Sequence, residues 1–87
     1  MSYKFNSKDV LITALGNEGV AFNSSNNEYF SLNETSFKIL RGLENNQTVS
    51  DICQQLLSEY NISEEACRKE VDQTIQLFLD KKLISEA

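Results

Sequence analysis

The stretch Glu28-Tyr29-Phe30-Ser31-Leu32-Asn33-Glu34-Thr35-Ser36-Phe37-Lys38-Ile39-Leu40 changes its hydrophobic period at Asn33. Up to Leu32 the pattern alternates, so Phe30 and Leu32 share one face of a strand while Tyr29 and Ser31 share the other. Beyond Asn33, which is a good N-cap, Phe37, Leu40 and Leu43 recur at helical spacing with Ile39 beside them. A strand over 28–32 therefore runs straight into a helix. The chain before this junction reads as strand, and the chain after it reads as helix.

Working back, Ser24 to Asn27 is a turn, and Val20 to Ser24 alternates with Val20 and Phe22 on one side and Ala21 and Asn23 on the other. Residues 10–15 (Val-Leu-Ile-Thr-Ala-Leu) are rich in β-formers and end at Gly16-Asn17-Glu18-Gly19, which suits a hairpin. The three strands form an antiparallel meander with two free edges. Working forward, the first helix stops near Glu44, because Asn45 and Asn46 tolerate the left-handed conformation that ends helices. A second opens at Thr48-Val49-Ser50-Asp51, an N-cap followed three residues later by an acid, and buries Ile52, Cys53, Leu56, Leu57 and Tyr60. Ser63 caps the third helix, with Glu64 and Glu65 in its first turn and Lys81 and Lys82 in its last, as the helix dipole favours. Its buried stripe is Cys67, Val71, Ile75, Phe78 and Leu79, and Leu83 and Ile84 close its end. The expected fold is α+β, a three-stranded antiparallel sheet followed by three helices, in a single domain over residues 1–87.

Composition excludes several functions. An 87-residue chain can build one modest core and is too short to enclose a sizeable substrate cavity in a second layer. Eight Lys and Arg against thirteen Asp and Glu leave a net charge of -5, which repels a phosphate backbone, so no nucleic acid partner is expected. No apolar run approaches the ~18 residues needed to cross a bilayer and no secretion signal opens the chain, so no membrane partner is expected and the location is cytoplasmic. There is no His, which removes the Ser-His and Cys-His pairs of nucleophilic catalysis. Cys53 and Cys67 have no His or third Cys near them, so they read as buried free thiols and no metal is expected. Glu64 with Glu65, and Glu70 with Asp72, do not share a helix face and read as solvated surface. No catalytic residue and no cofactor follow from these residues.

One feature is not needed for the core. Leu77 projects roughly 100° from the centre of the buried stripe of the third helix. Glu70, Gln73, Thr74 and Lys81 lie on the same flank at three-to-four-residue spacing. A lone exposed leucine is commonplace, but the strand over 28–32 also has no Pro, one charge and two adjacent aromatics, so its edge is not blunted. Flank and edge side by side make a groove with an apolar wall and a hydrogen-bonding wall, suited to an extended peptide. The candidate binding residues are Glu28, Tyr29, Phe30, Ser31 and Leu32 on the strand and Glu70, Gln73, Thr74, Leu77 and Lys81 on the helix. Lys81, with Arg68 and Lys69, could add steering for an acidic peptide, but exposed ion pairs contribute little once formed, and these charges read first as solvated helix surface.

The junction Tyr29-Phe30-Ser31-Leu32-Asn33-Glu34-Thr35, followed in order by Thr48-Val49-Ser50-Asp51-Ile52, Tyr60-Asn61-Ile62-Ser63 and Phe78-Leu79-Asp80-Lys81-Lys82-Leu83-Ile84, resembles the PqqD family. Those domains are leader-peptide recognition elements of ribosomally made, post-translationally modified peptides, free-standing or fused to a modifying enzyme. The resemblance implies a winged-helix-like fold in which a precursor's leader adds as an antiparallel strand beside the third strand, against the third helix. It also implies two partners, the precursor peptide and a modifying enzyme such as a radical SAM enzyme, a leader protease with a cyclase, or a cyclodehydratase. The chain itself, expected as a monomer, would perform no chemistry. Lys82 stands where relatives often carry Gly, so either the third helix runs on or Lys82 takes a strained conformation; Asn46 likewise stands where Gly is common. The competing reading is a winged-helix transcriptional regulator or an acidic protein-interaction adaptor. Scattered basic residues, and a second helix without Lys or Arg, argue against the DNA-reading form.

Overall fold

The structure is a computed structural model that describes residues 2–87. Its elements are β1 (Tyr3–Phe5), β2 (Val10–Leu15), β3 (Glu18–Asn23), β4 (Glu28–Leu32), α1 (Glu34–Glu44), α2 (Val49–Glu59), α3 (Glu64–Asp80) and β5 (Ile84–Glu86). Strands β2, β3 and β4 form the antiparallel meander expected from the sequence, while β1 and β5 pair as a separate two-stranded sheet that the sequence reading lacks. Gly16 at φ 66° with no positive φ at Asn17 is the signature of a type II′ hairpin turn between β2 and β3.

The inner face of the meander packs on α1. Gly19 is required there, because a Cβ on it would sit 2.7 Å from the Phe37 ring and 2.9 Å from the Thr13 carbonyl oxygen. The core runs from Val10, Ile12, Ala21 and Leu32 of the sheet through Ile39, Leu40 and Leu43 of α1 to Ile52, Leu56, Cys67, Val71, Ile75 and Phe78 of the other helices. Phe37, Leu57, Tyr60 and Leu79, expected inside, are only half-buried at its margin. The outer sheet face is uncovered and carries Leu11, Leu15 and Tyr29, with the Phe22 and Tyr29 rings 4.6 Å apart. No helix among the described residues is long and apolar enough to cross a membrane.

The caps act as read. The Asn33 side chain accepts from the Ser36 N–H, Thr48 and Asp51 form a capping box, and Ser63 accepts from the Ala66 N–H. Helix α1 ends in a Schellman motif: the Gln47 N–H donates to Gly42 O and the Asn46 N–H to Leu43 O, with Asn46 at φ 63°.

The end of α3 corrects the sequence reading. The helix stops at Asp80, Lys81 is its C-cap and Lys82 lies beyond it, so neither lysine occupies the last turn. Leu83 and Ile84 both lie in the core just past the helix, as expected, and Ile84 in addition opens β5, where it pairs with Phe5. The Leu83 N–H donates to Phe78 O and the Lys82 N–H to Leu79 O, a second Schellman motif with Lys82 in the left-handed position at φ 60°. A side chain there costs about 1 kcal/mol that glycine avoids. Lys82→Gly should therefore raise the melting temperature by roughly 4–8 °C, and a calorimetric scan showing no increase would contradict this account of the turn.

Candidate functional site

Among the described residues strand β4 pairs only with β3, and the phase of its ladder follows from the hairpin. A two-residue turn closes on a hydrogen-bonded pair, here Leu15 with Glu18, and alternation then makes Thr13–Val20 and Leu11–Phe22 hydrogen-bonded pairs. The Ser24 N–H donating to Asp9 O at 2.9 Å continues the same phase. Glu18, Val20 and Phe22 thus turn their backbone groups toward β2, and Gly19, Ala21 and Asn23 turn theirs toward β4. Their partners on β4 are Leu32, Phe30 and Glu28. Tyr29 and Ser31 consequently aim their N–H and C=O groups outward, along the free edge.

That edge faces α3 across a gap. The two elements nowhere bring Cα atoms within 8 Å of each other, whereas a paired strand would need only about 4.8 Å from β4. Phe30 closes the floor of the gap, its ring meeting that of Phe78 edge-on at 6.2 Å between centroids. Asn23 ties the hairpin to the far end of α3. Buried to 1% exposure, its side-chain amide donates toward the carbonyls of Lys81 and Lys82 at 3.5 and 3.4 Å, and its oxygen accepts from the N–H and hydroxyl of Ser25.

The open groove so formed, about 400 Å³, is lined by Phe30, Ser31, Leu32, Glu70, Thr74 and Leu77, together with Glu18, Asn33 and Ser36. A narrower recess of about 50 Å³ continues it, bringing Glu28, Tyr29 and Phe30 together with Asn23, Lys81 and Leu83. Nine of the ten residues expected at the site line one of these two spaces, and Gln73 does not. It lies with Glu64, Glu65, Arg68, Lys69 and Asp72 in a depression elsewhere on α3, so the steering assigned to Arg68 and Lys69 is also displaced from the groove. Arg68 is further occupied by Asp72, 3.4 Å away.

Sequence reasoning missed Glu18, Asn33, Ser36, Asn23 and Leu83 as lining residues. Asn33 was legible only as a helix cap, and nothing local marks Ser36, Glu18 or Asn23 as neighbours of α3. The electrostatics shift accordingly. Glu18 and Glu70 stand at one end of the groove, and neither forms an ion pair among the described residues. Lys81 stands at the other end, beside Glu28. The groove is apolar along its middle, where Leu77 remains 41% exposed. It holds an unsatisfied strand edge, and no metal-ligand cluster occurs among the described residues.

Comparison with known proteins agrees with this architecture. The sequence profile of the family described as Coenzyme PQQ synthesis protein D (PqqD) matches residues 18–84. No curated protein sequence matches the chain. A solved structure of TbiB1 in complex with the TbiA(beta) leader peptide superposes with a TM-score of 0.88 at 18% identity over 93% of each chain. Another, of lasso peptide synthetase B1 complexed with the leader peptide, gives 0.85 at 17% identity over 97% of this chain and 98% of that one. At such identities the likeness shows a common fold.

Proposed function

The chain belongs to the PqqD family, and on that premise we propose that it binds the leader region of a ribosomally synthesised precursor peptide, by strand addition between β4 and α3, and presents it to a modifying enzyme. The observation that carries this reading is the outward aim of the Tyr29 and Ser31 backbone groups into a groove whose opposite wall is Leu77. A leader lying antiparallel to β4 satisfies those groups, in the manner of β-augmentation. The protein holds the substrate and leaves the chemistry to a partner, such as a radical SAM enzyme or a leader protease with its cyclase. It acts as a monomer in the cytoplasm, where the precursor is made and Cys53 and Cys67 stay reduced. The two solved leader complexes of the same fold support the reading.

Magnitudes say which part of the groove selects. Tyr29 and Ser31 offer four backbone groups, and four hydrogen bonds at ~0.5–1.5 kcal/mol each contribute roughly 2–6 kcal/mol. Ordering a disordered leader costs about 2–5 kcal/mol. The two nearly cancel, so net affinity rests on apolar side chains docking between Phe30 and Leu77, at about 1.5–3 kcal/mol for each Leu-sized group.

Backbone pairing is tested on the peptide. A synthetic copy of the cognate precursor's leader should bind in a fluorescence polarisation titration. Proline at the residue facing Ser31 removes a donor and should weaken binding by about tenfold or more, while proline two residues outside the paired stretch should not. Equal affinity at every proline position would rule out strand addition.

A further inference from the structure

Beyond Glu70 the groove does not end. Glu70 also lines a second cavity of about 100 Å³ between the three helices, whose other walls are Thr35, Leu56, Tyr60, Ile62 and Cys67. Leu56 and Cys67 are fixed core residues, at 2% and 1% exposure, whereas Ile62 at the rim is 41% exposed. The Tyr60 ring is held as a rigid wall. Its hydroxyl donates to the Glu34 carboxylate, and Lys38 Nζ lies 4.8 Å from its ring centroid while pairing with Glu34 and Glu59 at 3.5 and 3.1 Å. The Tyr60 hydroxyl first, and Lys38 after it, hold the Glu34 carboxyl below its ordinary value, so the lock is closed at neutral pH. The cavity thus exists before any ligand arrives, and filling it costs little ordering of the protein.

Direction places this cavity relative to a bound peptide. Lys81 lies beside Glu28 and Tyr29, and Glu70 beside Leu32 and Asn33, so α3 runs opposite to β4. A peptide antiparallel to β4 has its N-terminal end at Glu70, at the mouth of the second cavity. Resting on the strand-addition reading above, we propose that this cavity is an anchor site for one branched aliphatic side chain that the leader carries N-terminal to its paired stretch. Its size and walls choose the class: it is smaller than the ~150 Å³ cavity that holds benzene, and Leu56, Ile62, Cys67 and the Tyr60 ring offer mainly apolar surface. The anchor also supplies what backbone pairing lacks. Strand addition by itself tolerates slippage along the edge, whereas one side chain seated at a fixed distance upstream sets which leader residue faces Ser31.

The test is an N-terminal truncation series of a fluorescein-labelled synthetic copy of the cognate precursor's leader, titrated against wild type, Ile62→Asp, Cys67→Met and Leu77→Glu. Wild type should show one step, a loss of about tenfold to a hundredfold on removal of a single aliphatic residue upstream of the paired stretch. The step should vanish in Ile62→Asp, which makes the rim polar, and in Cys67→Met, which fills the cavity. Leu77→Glu should weaken every peptide in the series. A step that persists in both cavity variants, a step at a residue that is not aliphatic, or no step before the paired stretch overturns the anchor and leaves strand addition standing. Failure of wild type to bind any peptide in the series overturns both. Ile62 is half-exposed in a loop, so Ile62→Asp keeps the test decisive if Cys67→Met does not fold.

Discussion

Leu77→Glu is expected to lower affinity for the leader by at least about a hundredfold while leaving the far-UV circular dichroism unchanged and the melting temperature within about 2 °C. The leucine is 41% exposed and lies off the buried stripe of α3, so the fold gives up little when it is replaced. Binding gives up much more. The variant forfeits roughly 1.5–3 kcal/mol of apolar burial. It also forces a carboxylate into a space that the peptide would dry, on the same wall as Glu70 and facing Glu18. Undiminished affinity in a folded Leu77→Glu protein would remove α3 from the binding site.

The neighbouring residue behaves in the opposite way. Phe78 is fully buried, and Phe78→Ala should cost about 3–5 kcal/mol through lost transfer energy and a residual cavity. Its edge-on contact with Phe30 adds about 0.5–1.5 kcal/mol to what is lost. A domain of this size holds a reserve of only roughly 4–13 kcal/mol, so the melting temperature should fall by at least about 15 °C. Denaturant titration should show the same loss as a lower midpoint. A fall of under about 5 °C would mean that the floor of the groove is not part of the core. Leu77 and Phe78 are one residue and ~100° apart on the same helix, and that rotation separates recognition from stability.

Helix starts were legible because each is decided within one turn. Asn33 reaches Ser36, Thr48 reaches Asp51 and Ser63 reaches Ala66. The alternation in 28–32 was legible because a strand buries one face at a time, and it placed Phe30 and Leu32 inward without knowledge of what covers them. The β1–β5 pair was not. Three residues at each end of the chain carry too little pattern to be read as strands, and Tyr3 meets Glu86 only because the intervening core brings the termini together. Lys82 lies between these cases. Its place one residue past the C-cap raised the question of a strained turn, but only the Schellman bonds to Phe78 and Leu79 show that α3 stops there.

The site divides along the same line. The sequence by itself determined the components: an unblunted edge strand without proline, an off-stripe Leu77 on a helix flank, and a chain with no histidine and a charge of -5. Those are properties of composition and of periods of two and 3.6 residues, which act locally. Only the tertiary structure decided which components meet. It leaves Gln73 outside the groove, brings Glu18 and Asn33 into it, and uses Asn23 to hold the hairpin against the end of α3. The width of the gap between β4 and α3 follows from packing side chains tens of residues apart in one core, and no local pattern carries that information.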